Sequence, residues 1–151
     1  MSHRVRCSEG RQMEWRIGSH HARFESPDIL WVKIRGETTL EDSVHFAGLY
    51  RELGERQSFF IVGDLTEATT FDTEGRRYMS EHLRPDWFKG NLYVGARLVH
   101  RAAMRGITFV YRLTGQAVPE LHFVSTEAEA CEVVTRLRTA QGGEPVPAGS
   151  A

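Results

Sequence analysis

The chain has 151 residues, 40% hydrophobic and 26% charged, with 19 basic against 20 acidic side chains and a net charge of -1. That is the profile of one ordinary globular domain, large enough to bury a core without metal or disulfides. Balanced charge argues against a basic nucleic-acid footprint or a polybasic membrane surface. The longest apolar run, Phe59-Phe60-Ile61-Val62, falls far short of the ~20 residues of a membrane span or the ~7–15 of a signal-peptide core. A cytoplasmic location is therefore expected, with neither nucleic acid nor membrane as partner. Cys7 and Cys131 lie far apart and form no Cys-x-x-Cys, so neither a disulfide framework nor a thiolate metal site is expected, and Cys131 reads as a packing residue.

Residues 1–14 are polar without period and 141–151 are rich in Gly, Pro and Ala, so both read as disordered tails around a folded unit of 15–140. Trp15 to Ile17 offers a short edge strand. His20 to Glu25 alternates weakly, Ser26-Pro27-Asp28 turns, and Leu30, Val32 and Ile34 alternate with Trp31, Lys33 and Arg35, which predicts a hairpin. Residues 39–55 place Leu40, Val44, Phe46, Leu49, Tyr50 and Leu53 on a broad helical face, opened by Thr39 with Asp42 three residues on. Residues 58–63 form an almost wholly apolar strand, as suits one covered on both faces. A loop over 66–71 and a second helix over 72–83 follow, with Tyr78, Met79 and Leu83 as its seam and Pro85 as its stop. Then come a strand at 92–98, a helix at 99–113, a strand at 121–124, and a last helix opened by Thr126 and Glu129. The order β-β-α-β-α-β-α-β-α predicts an α/β domain: a small mixed, mostly parallel four- to five-stranded sheet with four helices.

No enzyme signature is present: the chain lacks Gly-x-Gly-x-x-Gly, the phosphate-binding Gly-x-x-x-x-Gly-Lys, Gly-x-Ser-x-Gly and His-Glu-x-x-His. No catalytic residue and no cofactor are expected. Seven histidines (His3, His20, His21, His45, His82, His100, His122) show no ligand spacing, so no metal site is expected and they read as surface or edge residues. Asp64 ends a buried strand and Asp72 opens a helix. Such carboxylates can hold Mg2+ in α/β proteins, yet Asp72 stands where an N-cap belongs and Asp64 suits a turn. Arg101 and Arg105 sit four residues apart on the third helix, with Arg97 and His100 just before them and Arg112 beyond. This is either a solvated face paired with glutamates or a candidate anion site at Arg97, His100, Arg101 and Arg105.

The most specific stretch is SFFIVGDLTEATTFDTEG, residues 58–75. A buried strand ends in Asp64-Leu65, and apolar Phe71 leads into Asp72-Thr73-Glu74-Gly75 at a helix start. This resembles the STAS domain (sulphate transporter and anti-sigma-factor antagonist), in particular its stand-alone members like stage II sporulation protein AA. The resemblance extends to the element order and to LHFVSTEAEA at 121–130. It implies a bacterial, non-enzymatic regulatory module that binds a protein partner, an anti-sigma-factor kinase, and is phosphorylated at Thr73, the first hydroxyl residue after Asp72. Its implied partner surface comprises Asp64, Thr66, Thr69, Thr70, Asp72, Thr73, Glu74, Gly75 and Arg76, with adjacent parts of the third helix. The chain departs from the pattern at Glu74, where a second small hydroxyl residue is usual, and at Arg76 and Arg77, where regulatory members carry apolar or small residues. A phosphate on Thr73 adds about −1.5 to −2 charges at a helix N-terminus, beside Asp72 and Glu74, and so repels an acidic or apolar partner surface.

The alternative is a STAS-like domain that holds an apolar or anionic small molecule between sheet and helices, for which Phe59, Phe60, Tyr78, Trp87, Phe88, Tyr93, Phe109 and Tyr111 are the aromatic supply. A closed core around Trp31, Phe60 and Phe109 favours the interaction module, a dry cavity there the ligand binder. Two carboxylates converging on a metal would favour a third class, a Mg2+-dependent hydrolase using Asp64 and Asp72.

Overall fold

In the computed structural model, which describes residues 7, 12–113, 115 and 121–142, three strands open the chain. They are β1 (Gln12–Ile17), β2 (His20–Glu25) and β3 (Ile29–Thr38). There follow α1 (Leu40–Arg56), β4 (Phe59–Phe71), α2 (Thr73–His82), a single 3-10 turn at Pro85–Trp87, β5 (Phe88–Val94), α3 (Leu98–Leu113), β6 (Leu121–Val124) and α4 (Glu127–Ala140). Most of the two expected tails, residues 1–6, 8–11 and 143–151, lies outside the described residues, as do the side chains at 12, 103 and 106–112.

The six strands form one sheet in chain order, β1-β2-β3-β4-β5-β6. The first three are antiparallel neighbours, and β3 to β6 pair in parallel. This is the expected α/β class, one edge strand wider. Strand alternation divides the core in two. Leu30, Val32, Ile34, Phe59, Ile61 and Leu65 face α1, together with Phe46, Tyr50 and Leu53 of that helix. Ile29, Trp31, Phe60, Val62, Leu92 and Val94 face α4, through Ala130, Val133, Val134 and Leu137. Because both faces are covered, the inner strands read as apolar runs rather than alternations.

Helix starts follow local chemistry. Thr39 and Asp42 form a reciprocal capping box on α1, Asp72 caps α2 by accepting from Gly75 N–H, and Thr126 caps α4 by accepting from Glu129 N–H.

Four readings are corrected. Residues 66–71 are strand, because β3 runs on to Thr38 and pairs with β4 through Arg35↔Glu67, Gly36↔Ala68 and Thr38↔Phe71, with register shifts on the way. Only Ala68 is buried there, so the mostly polar remainder looks like loop. β5 begins at Phe88 rather than 92. His20 and His100 are buried, not superficial; at His20, Arg35 N–H donates to Nδ1, leaving Nε2–H to donate to Asp42 at 3.1 Å. Finally, Cys7 and Cys131 form a disulfide. Cys7 N–H donates to the carboxylate of buried Glu25 at 3.1 Å, so Cys7 is held to both β2 and α4.

Candidate functional site

The stretch singled out in the sequence is laid along one edge of the molecule. Asp64 Oδ1 accepts from Thr66 N–H at 2.9 Å and from Thr66 Oγ1–H at 2.6 Å, an Asx turn that sets the strand's new direction. Beyond it Thr66, Glu67, Thr69 and Thr70 are exposed, while Ala68 is buried. Asp72 N–H donates to Thr38 carbonyl oxygen at 2.9 Å, and the Asp72 carboxylate accepts from Gly75 N–H at 2.9 Å. Thr73, the first residue of α2, is exposed, as are Glu74, Arg76 and Arg77. Thr73 Oγ1 lies 3.5 Å from Arg76 Nη2.

Gly75 is the one buried residue of α2. A Cβ there would stand 2.5 Å from Ser43 Oγ and 3.3 Å from Thr39 carbonyl oxygen. Glycine is thus needed for the close approach of α2 to α1, whatever chemistry its neighbours carry.

The basic side chains expected at α3 fall into two groups. Arg97 donates to the carbonyl of Ala68, and buried His100 donates Nε2–H to that of Thr69 at 3.2 Å, its ring edge-on to Phe71. These two contacts fasten the start of α3 to the end of β4. Arg101 donates to Ala96 carbonyl oxygen and, like Arg105, lies over the Phe123 ring. Among the described residues no carboxylate pairs with Arg97, Arg101 or Arg105. The Arg112 side chain lies outside the described ones. Beside the fastened turn, Leu98 is 83% and Val99 68% exposed, an apolar margin to the threonine strip. No group of three or more His, Cys, Asp or Glu is placed to hold a metal among the described residues.

A cavity of about 210 Å3 opens between the sheet and helices α1, α2 and α3. Val32, Ile61, Phe46, Met79, Leu83 and Met104 supply its apolar wall. Sequence reasoning placed the discriminating core at Trp31 and Phe60, but both are buried on the α4 face, and the Phe109 side chain lies outside the described ones. Of the aromatic supply, Phe88 and Tyr93 line the cavity, whereas Tyr78 stacks on His82 at the outer side of α2. The inward stripe of α2 is instead Arg76, Met79, Ser80 and Leu83, at spacing i, i+3, i+4, i+7. Met79 and Leu83 of the expected seam are confirmed there, whereas Arg76 and Ser80 were missed because they read as solvent residues.

Polar groups also reach this wall. Thr38 Oγ1 and His100 Nδ1 are buried without a hydrogen-bond partner among the described residues. Burial pushes the Tyr50 hydroxyl pKa up, with a smaller push from Tyr93.

No protein-family model matches this sequence, and no curated protein matches it. Solved structures do. The anti-sigma factor antagonist SpoIIAA in its unphosphorylated form is 12% identical, with a TM-score of 0.51, over 77% of this chain and 97% of that one. An uncharacterised Shewanella loihica PV-4 protein of the DUF3478 family, described as having a SpoIIAA-like fold, is 16% identical, with a TM-score of 0.56, over 83% of this chain and 97% of that one. The fold is therefore the mixed α/β fold of STAS-like domains. Within that class, the chain is similar to the SpoIIAA type over most of its length.

Proposed function

We propose that this chain is a non-enzymatic regulatory module of the anti-sigma-factor-antagonist type, which binds a protein partner through the end of β4, the start of α2 and the start of α3. Phosphorylation of Thr73, by an anti-sigma-factor kinase, releases that partner. The observation that carries this reading is the exposure of Thr73 at the first position of α2. Thr66, Thr69 and Thr70 are exposed on the adjoining strand end and Leu98 and Val99 on the helix fastened to it, so the surface joins polar and apolar groups. A phosphate at Thr73 meets the helix dipole and the Arg76 guanidinium within the chain, while placing new charge in the middle of this surface.

The reading takes the module to act in the cytoplasm. Since disulfides persist in oxidising surroundings, the redox state of Cys7 and Cys131 in cells is a direct check on that location. Co-purification of the native protein with mass spectrometry tests the function. Phosphate on Thr73, and a bound protein missing from the phosphorylated fraction, are expected. An unphosphorylated Thr73 with no protein bound would contradict it.

A second reading is favoured by the cavity: a STAS-like domain that holds a small, largely apolar molecule between sheet and helices.

A further inference from the structure

The cavity has an asymmetry that specifies its ligand. Among the described residues lining it, Arg76 is the one that is exposed; the others described are buried or half-buried. The opening to solvent therefore lies at the α2 end where this guanidinium stands. The Arg76 guanidinium has no carboxylate partner among the described residues and reaches only Thr73 Oγ1 there, in a long 3.5 Å contact. The interior beyond it is apolar, with the buried Thr38 hydroxyl unpartnered in the wall between Arg76 and the sheet. Ser43 Oγ, also in the wall, is already committed to Thr39 carbonyl oxygen.

A largely apolar chamber with one arginine at its rim matches a molecule with an apolar body and a single anionic head. We propose that the cavity binds a medium-chain carboxylic acid, its hydrocarbon body between the sheet and α2 and its carboxylate on the Arg76 guanidinium. This rests on the ligand-binding reading above. A guanidinium receives a carboxylate through two parallel N–H bonds, and a single cation matches one negative charge rather than the two of a phosphate monoester. Size sets the body: a dry cavity of ~150 Å3 takes benzene, so 210 Å3 suits a chain of about eight carbons.

The test is equilibrium dialysis of the full chain against labelled octanoate and labelled 1-octanol, which share a body and differ in the head. Octanoate is expected to bind at least tenfold more tightly than octanol. Arg76→Gln should bring octanoate down to the octanol level and leave octanol binding intact, which also shows that the variant is folded. Ser80→Phe, which fills the chamber from α2, should abolish binding of both. Equal affinity of the native chain for the two molecules, unchanged in Arg76→Gln, would overturn the anionic head while leaving the cavity reading in place. Binding of neither molecule would overturn both.

Discussion

Thr73 has two opposite demands on it, to support a helix start and to receive charge, and both are met at its position. An aspartate there gains ~0.3–1 kcal/mol from the helix dipole, partly offset by Asp72 and Glu74. Thr73→Asp and Thr73→Ala are therefore expected to unfold within about 1 kcal/mol of the native chain in denaturant titrations. Asp72→Ala, which leaves Gly75 N–H without its acceptor, should cost about 1 kcal/mol. Tyr50 gives a pH signature. Its folded pKa lies above the unfolded value of ~10, so above that pH the unfolded chain releases a proton that the native chain keeps. Stability is complete below pH ~10 and falls as pH rises beyond it, and Tyr50→Phe should flatten that part of the profile. Caps such as Thr39, Asp72 and Thr126 were legible because capping is a matter of three or four residues. The buried His20–Asp42 pair was not, since its partners come from β2 and α1 and only the folded sheet brings them together.

At the scale of elements, α2 joins the two proposals. Its first residue, Thr73, is exposed, its inward stripe lines the cavity, and Arg76 touches both. A negative charge at residue 73 competes for the guanidinium that holds the ligand's head, so phosphorylation of Thr73 should weaken octanoate binding and leave octanol binding unchanged in the same dialysis. Gly75→Ala forces α2 away from Ser43 and the Thr39 carbonyl, with an expected destabilisation of ~1–3 kcal/mol and a wider cavity mouth. The extension of β4 to Phe71 was hidden by composition. Thr66, Glu67, Thr69 and Thr70 are polar because they are exposed, and their strand pairing with β3 is made by backbone groups that any residue carries.

For the whole molecule, the disulfide closes a loop of sequence separation 124. Chain-entropy reasoning puts its contribution at about 2–5 kcal/mol. Reduction should lower the unfolding midpoint accordingly, and Cys131→Ser should show the lower midpoint with or without reductant. Composition and switching periodicity disclosed the α/β class and the four helices, because sheet faces and helix stripes leave repeating marks. Neither spacing nor period marks a disulfide between residue 7 and α4, or the space left between α2 and the sheet, since both arise from how elements meet.

The central claim is that charge at Thr73 controls association. Its most direct measurement is the affinity of one purified partner for the unmodified chain and for the chain carrying phosphothreonine at 73. The account predicts at least a tenfold loss on phosphorylation, with secondary structure unchanged, and an intermediate loss for Thr73→Asp. Equal affinities for the two forms would contradict it and leave Thr73 as an ordinary first residue of a capped helix.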